Sequence, residues 1–157
     1  MPRQNRSYKP LIYVFCEGES EQAYTDFLKR KFQKYACIKY PKAQGLFETA
    51  QEKFKKDVRC RNEKDVIDEI WFFFDVEAGD IVKWEQRLKI IKQLRKMRRG
   101  GRIKVRLLMT SGCIEYWLML HYKMFAPAIR TTSDKKRILN ELKIRKPNYK
   151  KGDFGVV

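Results

Sequence analysis

Glu17 closes an apolar run, Leu11 to Cys16, and is followed by Gly18 and by the helix-compatible stretch Glu19-Ser20-Glu21. A second apolar run, Ile70-Trp71-Phe72-Phe73-Phe74, closes in the same manner on Asp75-Val76-Glu77. If the two runs are neighbouring strands, their terminal carboxylates converge. Two unit negative charges about 4 Å apart at an effective dielectric of about 20 repel by roughly 4 kcal/mol, so such a group needs relief. Relief comes from a retained proton, an intruding Lys or Arg, or a divalent cation. Oxygen donors without His or Cys suit Mg²⁺ or Mn²⁺, and Mg²⁺ commonly takes one or two carboxylates, waters and a substrate phosphate. Glu17, Asp75 and Glu77 are therefore the candidate metal-holding and catalytic acids, and their substrate carries phosphate.

Other residues attach to this group less directly. In an Asp-x-Glu pair both side chains fall on one face of a strand end, which links Glu77 to Asp75. Gly18 is expected as a turn glycine with positive φ. Glu21 lies one helical turn beyond Glu17, and either joins it or serves the amino end of the helix. Glu115 stands in the first turn of an apolar helix behind Thr110-Ser111-Gly112, where a carboxylate must be paired or hydrogen-bonded, and it is counted with the catalytic acids. His121, the single histidine, is six residues from Glu115 and not on its face; it is expected to be a satisfied core residue.

The elements that must carry these groups follow from periodicity. Leu11 to Phe15, Ile70 to Phe74 and Ile103 to Met109 read as strands, with Cys37 to Tyr40 a shorter one stopped by Pro41. Lys104 and Arg106 alternate with apolar residues, as on an exposed face or edge. Helices are expected from Ser20 or Glu19 with a core face of Ala23, Tyr24, Phe27, Leu28, Phe32 and Tyr35; from Leu46 to about Asn62; and from Ile81 through Trp84, Leu88, Ile91 and Met97. Two more follow, Cys113 to Met124 and a basic helix capped by Ser133-Asp134 with Ile138, Leu139 and Leu142 inward. Strands alternating with helices imply an α/β fold, three-layered and Rossmann-like, with a mainly parallel central sheet of about four strands. In such sheets sites form beyond the carboxyl ends of the strands, where Glu17, Asp75, Glu77 and Ser111 fall.

With 157 residues the chain reads as a single domain, 1–157, with loose ends at 1–10 and 146–157. No apolar run approaches the ~20 residues of a membrane span, and the polar amino terminus lacks a secretory pattern, so a cytoplasmic setting without a membrane partner is expected. Cysteines 16, 37, 60 and 113 show no C-x-x-C spacing, which argues against a zinc site or disulfide framework. The formal charge of +17 favours polyanions through counterion release, with nucleic acid as the default partner. The densest basic run supplies the candidate phosphate-backbone contacts: Arg95, Lys96, Arg98, Arg99 and Arg102.

Three segments together, Phe15-Cys16-Glu17-Gly18-Glu19-Ser20-Glu21, Phe74-Asp75-Val76-Glu77, and Thr110 to His121, resemble the RloB family. That family is associated with bacterial anti-phage systems and abortive infection and is related to Toprim nucleases and primases. Its pattern is a strand ending in C-E-G-x-x-E, a strand ending in D-x-D, and a segment S-N-P-x-F-E-x-W-L-x-x-H. The resemblance implies a Toprim-like domain in which Glu17 is a metal ligand or general base and Asp75 the first acid of the D-x-D pair, with Mg²⁺ or Mn²⁺ as cofactor. Here Glu77 replaces the second aspartate, and Ser111 and Gly112 stand at the family's Asn and Pro, while Glu115, Trp117 and His121 match. The implied activity is a divalent-metal-dependent phosphodiesterase or nuclease of phage defence, acting on DNA or RNA with or without a partner ATPase. The alternatives are a non-catalytic nucleic-acid or nucleotide sensing module that recruits a partner effector, and an RNA-binding accessory protein without metal.

Overall fold

The structure, a computed structural model, describes residues 8–76, 78–111, 113–124 and 127–150. Four parallel strands, β1 (Leu11–Cys16), β2 (Cys37–Lys39), β3 (Glu69–Val76) and β4 (Lys104–Ser111), form one sheet in the order β2-β1-β3-β4. Helices α1 (Glu19–Lys31), α2 (Phe47–Lys56), α3 (Val58–Glu63), α4 (Trp84–Arg95), α5 (Ile114–Met119) and α6 (Thr132–Arg145) cover its two faces. The expected three-layer α/β architecture is what forms.

Strand alternation sorts the core into two halves. Ile12, Val14, Cys16 and Phe73 face one side, against Tyr24 of α1, Ile114, Leu118 and Met119 of α5, and Ile138 and Leu142 of α6. Tyr13, Phe15, Ile70, Phe72 and Phe74 face the other, against Phe47, Ala50 and Phe54 of α2, Cys60 of α3, and Ile90, Ile91 and Leu94 of α4. Phe15, Phe47, Phe72 and Phe74 are fully buried, each contributing about 1.5–3 kcal/mol by burial. Phe47 and Phe72 stack with ring centroids 4.2 Å apart. Lys104 and Arg106 lie on β4, an edge strand, as their alternation implied, and Arg106 grips Glu69 of β3 through two hydrogen bonds of 2.6 and 3.2 Å.

Several helices depart from the periodicity reading. The helix expected from Leu46 to Asn62 breaks at Asp57, whose carboxylate accepts hydrogen bonds from the Arg59 and Cys60 amides at 2.9 and 3.2 Å and so starts a new helix. Ile81 and Leu88, expected inward, are 77% and 49% exposed. A 3₁₀ segment, Ala78–Lys83, holds Ile81 outside the helix, and Arg87 takes the inward position in place of Leu88. Its guanidinium lies 5.2–5.7 Å from the ring centres of Phe47, Phe74 and Trp84 and pairs with Asp80 at 3.0 Å. Phe32 and Tyr35 are exposed because α1 ends at Lys31. Helix α5 stops at Met119, the last residue of that stretch with a buried side chain, and the amides of Leu120, His121 and Tyr122 tighten onto carbonyls three residues back.

The last helix is capped two residues earlier than expected: Thr131 Oγ1 accepts from the Asp134 amide at 3.2 Å while Asp134 accepts from the Thr131 amide at 2.9 Å. The carboxyl end was expected to be loose from 146, yet Tyr149 is buried in the first core half. An aromatic ring with a polar tip gains by docking where its hydroxyl finds an acceptor. No helix among the described residues is long and apolar enough to cross a membrane.

Candidate functional site

The chain leaves β1 through α1 on one face to reach β2, and leaves β3 through α4 on the opposite face to reach β4. Right-handed crossovers running in opposite directions place their helices on opposite faces, so a crevice opens between the carboxyl ends of β1 and β3. Glu17 and Asp75 stand at this switch point. The pairing of Cys16 with Phe73 continues as a hydrogen bond from the Glu17 amide to the Phe73 carbonyl at 3.2 Å. The Asp75 amide in turn donates to Glu17 Oε2 at 3.2 Å. Thr110, buried on β4 and paired with Asp75 in register, donates its hydroxyl to Asp75 Oδ1. Each carboxylate is thus oriented through one oxygen, and the other has no donor among the described residues.

Gly18 is not a positive-φ turn. Its φ is −137°, and a Cβ there would meet the end of the Glu21 side chain, Oε2 at 2.9 Å, so a larger residue would push that carboxylate aside. Glu21 is buried and reaches back over Gly18 toward the crevice, which settles its direction. Glu115 is buried on α5 and accepts a hydrogen bond from the Tyr149 hydroxyl at 3.3 Å. Gly45 adopts φ +145°, a conformation that favours glycine, and its amide donates to the Cys16 carbonyl at 2.9 Å. That bond draws Gln44 to the rim.

These residues line one cavity of about 640 Å³ bounded by Glu17, Gly18, Glu21, Gln44, Asp75, Cys113 and Glu115, with Thr132, Lys135, Lys136 and Leu139 of α6 on the far wall. Burial, then the negative charges of Glu21, Glu17 and Glu115, raise the Asp75 carboxyl from 3.8 to about 7, opposed by Lys135. Burial likewise pushes the Cys16 thiol up to about 11 and the Cys113 thiol upward, so both behave as small hydrophobes rather than nucleophiles.

The structure therefore brings together Glu17, Asp75 and Glu115 of the acids expected from sequence. Glu77 and Gly112 lie outside the described residues. Among those described, no group of three or more His, Cys, Asp or Glu side chains is placed to hold a metal ion. Glu17 and Asp75, hard oxygen donors with one free oxygen each, fit a cation that takes one or two carboxylates and fills its shell with water. His121 is not a core residue: it is exposed, and its Nε2 lies 3.1 Å from the Tyr24 hydroxyl. Partial desolvation, then the Lys31 charge, lowers its pKa.

Arg95, Lys96, Arg98, Arg99 and Arg102 sit elsewhere. They run from the last residue of α4 toward the start of β4, at the amino ends of the strands, where Arg98 bonds Asp68 at 3.3 Å and the Arg99 amide bonds Asp65 at 3.0 Å. Asp68, which Arg98 holds, precedes Asp75 by seven residues, roughly 23 Å along the strand at ~3.3 Å per residue. The α6 lysines were missed, although a signal existed. Lys135 precedes Ile138, Leu139 and Leu142 by three, four and seven positions, so an exposed cation stands in line with the apolar stripe where the helix meets the cavity.

A family model described as RloB-like protein matches residues 12–155, nearly the whole chain. No curated protein and no solved structure matches it.

Proposed function

The chain belongs to the RloB-like protein family, and from that premise we propose that it is a Toprim-type, divalent-metal-dependent phosphodiesterase acting on nucleic acid in phage defence. The observation that carries this reading is the meeting of Glu17 and Asp75 at the switch point of a parallel sheet, with Glu21 and Glu115 on the same cavity. Glu17 and Asp75 would hold Mg²⁺ or Mn²⁺, with Glu77 as the further acid of the Asp-x-Glu pair. When bound, the cation polarises the scissile phosphate and lowers the pKa of a bound water. Thr110 and the Asp75 amide keep the two carboxylates aimed before the cation arrives, which limits reorganisation on binding. The Tyr149 hydroxyl does the same for Glu115.

The experiment is cleavage of labelled single- and double-stranded DNA and RNA with Mg²⁺ or Mn²⁺, comparing the wild type with Glu17→Ala at matched salt. Loss of one metal-holding carboxylate is expected to lower the rate at least 100-fold, in line with electrostatic contributions of that kind. Metal-dependent cleavage that survives Glu17→Ala overturns the assignment. A second reading, a non-catalytic module that binds nucleic acid or a nucleotide and recruits an effector such as a partner ATPase, is favoured by one observation. Glu77 stands at the second aspartate of the family's D-x-D pair, and Ser111 and Gly112 stand at its Asn and Pro. Binding without cleavage in both proteins supports it.

A further inference from the structure

We propose that Lys135 and Lys136 form an anion subsite, holding a substrate phosphate against the far wall of the cavity from the carboxylates. The proposal rests on the reading above only for the identity of that anion as a nucleic-acid phosphate.

On α6, Ile138 and Leu142 are fully buried and Leu139 is half-buried, while Lys135, one turn earlier on the same side of the helix, and its neighbour Lys136 are exposed. At its amino end the apolar stripe gives way to the cavity, and the residue that continues its line there is the exposed Lys135. Lys136 lines the same wall, and the positive charge that bears on Asp75 is that of Lys135. Neither lysine forms an ion pair among the described residues, in contrast with Lys39, Lys53, Lys56 and Lys123, which all do. The Thr131–Asp134 box engages the Asp134 amide and sets the Asp134 carboxylate at the helix end, so the positive charge offered to an incoming anion is that of the lysine side chains.

Chemistry on a phosphate needs both signs of charge within reach: oxygen donors for a cation, and cations for the phosphate oxygens the metal does not cover. The cavity separates them by wall, acids from β1, β3, α1 and α5, and lysines from α6. Its 640 Å³ is the size of a small-ligand cleft. A duplex does not enter such a space; a nucleotide segment of one strand does.

The test is the anisotropy of a short fluorescein-labelled single-stranded oligothymidylate, titrated at several salt concentrations with Ca²⁺ and again with EDTA. The proteins are wild type, Lys135→Gln/Lys136→Gln, Lys135→Arg/Lys136→Arg, and Lys143→Gln/Arg145→Gln. The last changes net charge equally at the exposed far end of the same helix. Each lost phosphate contact on a single strand lowers the slope of log K against log salt by about 0.7, so the cavity variant should lose about 1.4. Its affinity should fall about 10-fold or more, with the arginine variant and the far-end variant close to wild type. An unchanged slope in the cavity variant overturns the proposal, as does an equal loss in the far-end variant. The metal reading is scored separately: if Ca²⁺ fails to strengthen binding over EDTA while the lysine effect persists, that reading fails and the subsite stands.

Discussion

Asp75→Asn should stabilise the metal-free protein above neutral pH. Asp75 is held at about 7 rather than 3.8 by burial and by the charges of Glu21, Glu17 and Glu115. Because the folded-state value lies above the unfolded one, the folded protein binds the proton more tightly. The stability this confers is complete below about pH 4, declines as the pH rises toward 7, and is gone above it. At about 1.36 kcal/mol per pH unit the ceiling is about 4 kcal/mol. Solvent reaching this partly exposed carboxyl screens the repulsion, so about 2 kcal/mol is the expected difference. Asparagine is isosteric with the protonated acid and keeps an oxygen for the Thr110 hydroxyl, so the variant escapes the penalty without losing that bond. Thermal unfolding with EDTA should show wild type and variant melting together near pH 4, and the variant about 4–8 °C higher at pH 8. Added Mg²⁺ should raise the wild type at pH 8 and leave the variant where it was. A variant less stable than wild type at pH 8, or a gap that does not change with pH, would refute the crowding argument.

The remaining predictions concern the frame of the site. Asp80→Ala should cost about 3 kcal/mol in urea unfolding, because it strands the buried Arg87 guanidinium over its aromatic box, and Arg87→Met added to it should recover most of the loss. Tyr149→Phe removes the hydroxyl that meets Glu115 and should cost about 1–2 kcal/mol, with a larger loss of activity than of stability if Glu115 serves the chemistry; equal melting curves and equal rates would show that the contact does neither. Glu17→Ala should lower metal-dependent cleavage at least 100-fold while leaving the fold intact, since Glu17 is exposed at a strand end, which far-ultraviolet circular dichroism checks directly. Lys135→Gln/Lys136→Gln should reduce the salt slope of single-strand binding by about 1.4.

Much of this site is legible from one dimension. Apolar runs ending in acids locate Glu17 and Asp75, and alternation of strand and helix periods implies a parallel sheet whose carboxyl ends carry them. Helix limits are less legible, and each departure has a local cause: Asp57 caps a new helix, a 3₁₀ segment excludes Ile81, and Arg87 displaces Leu88 because aromatic rings and Asp80 receive its charge. Composition pointed to Arg95 through Arg102 as the basic surface, but charge density along a chain carries no information about which end of a strand it decorates.

Residue order alone determined the layers, the strands and the acids at their ends, because burial on a period of 2 or 3.6 is a local property of the chain. Tertiary structure decided which acids meet: the choice of β3 rather than β2 as the partner on that side of β1 places Asp75 against Glu17, and opposite crossover directions open the crevice between them. It also brought Lys135 from more than one hundred residues away to face Glu17, and docked Tyr149 on Glu115. Such contacts depend on how the α6 stripe and the tail find room on a sheet face already half covered by α1 and α5, and that is a property of the assembled core rather than of any segment within it.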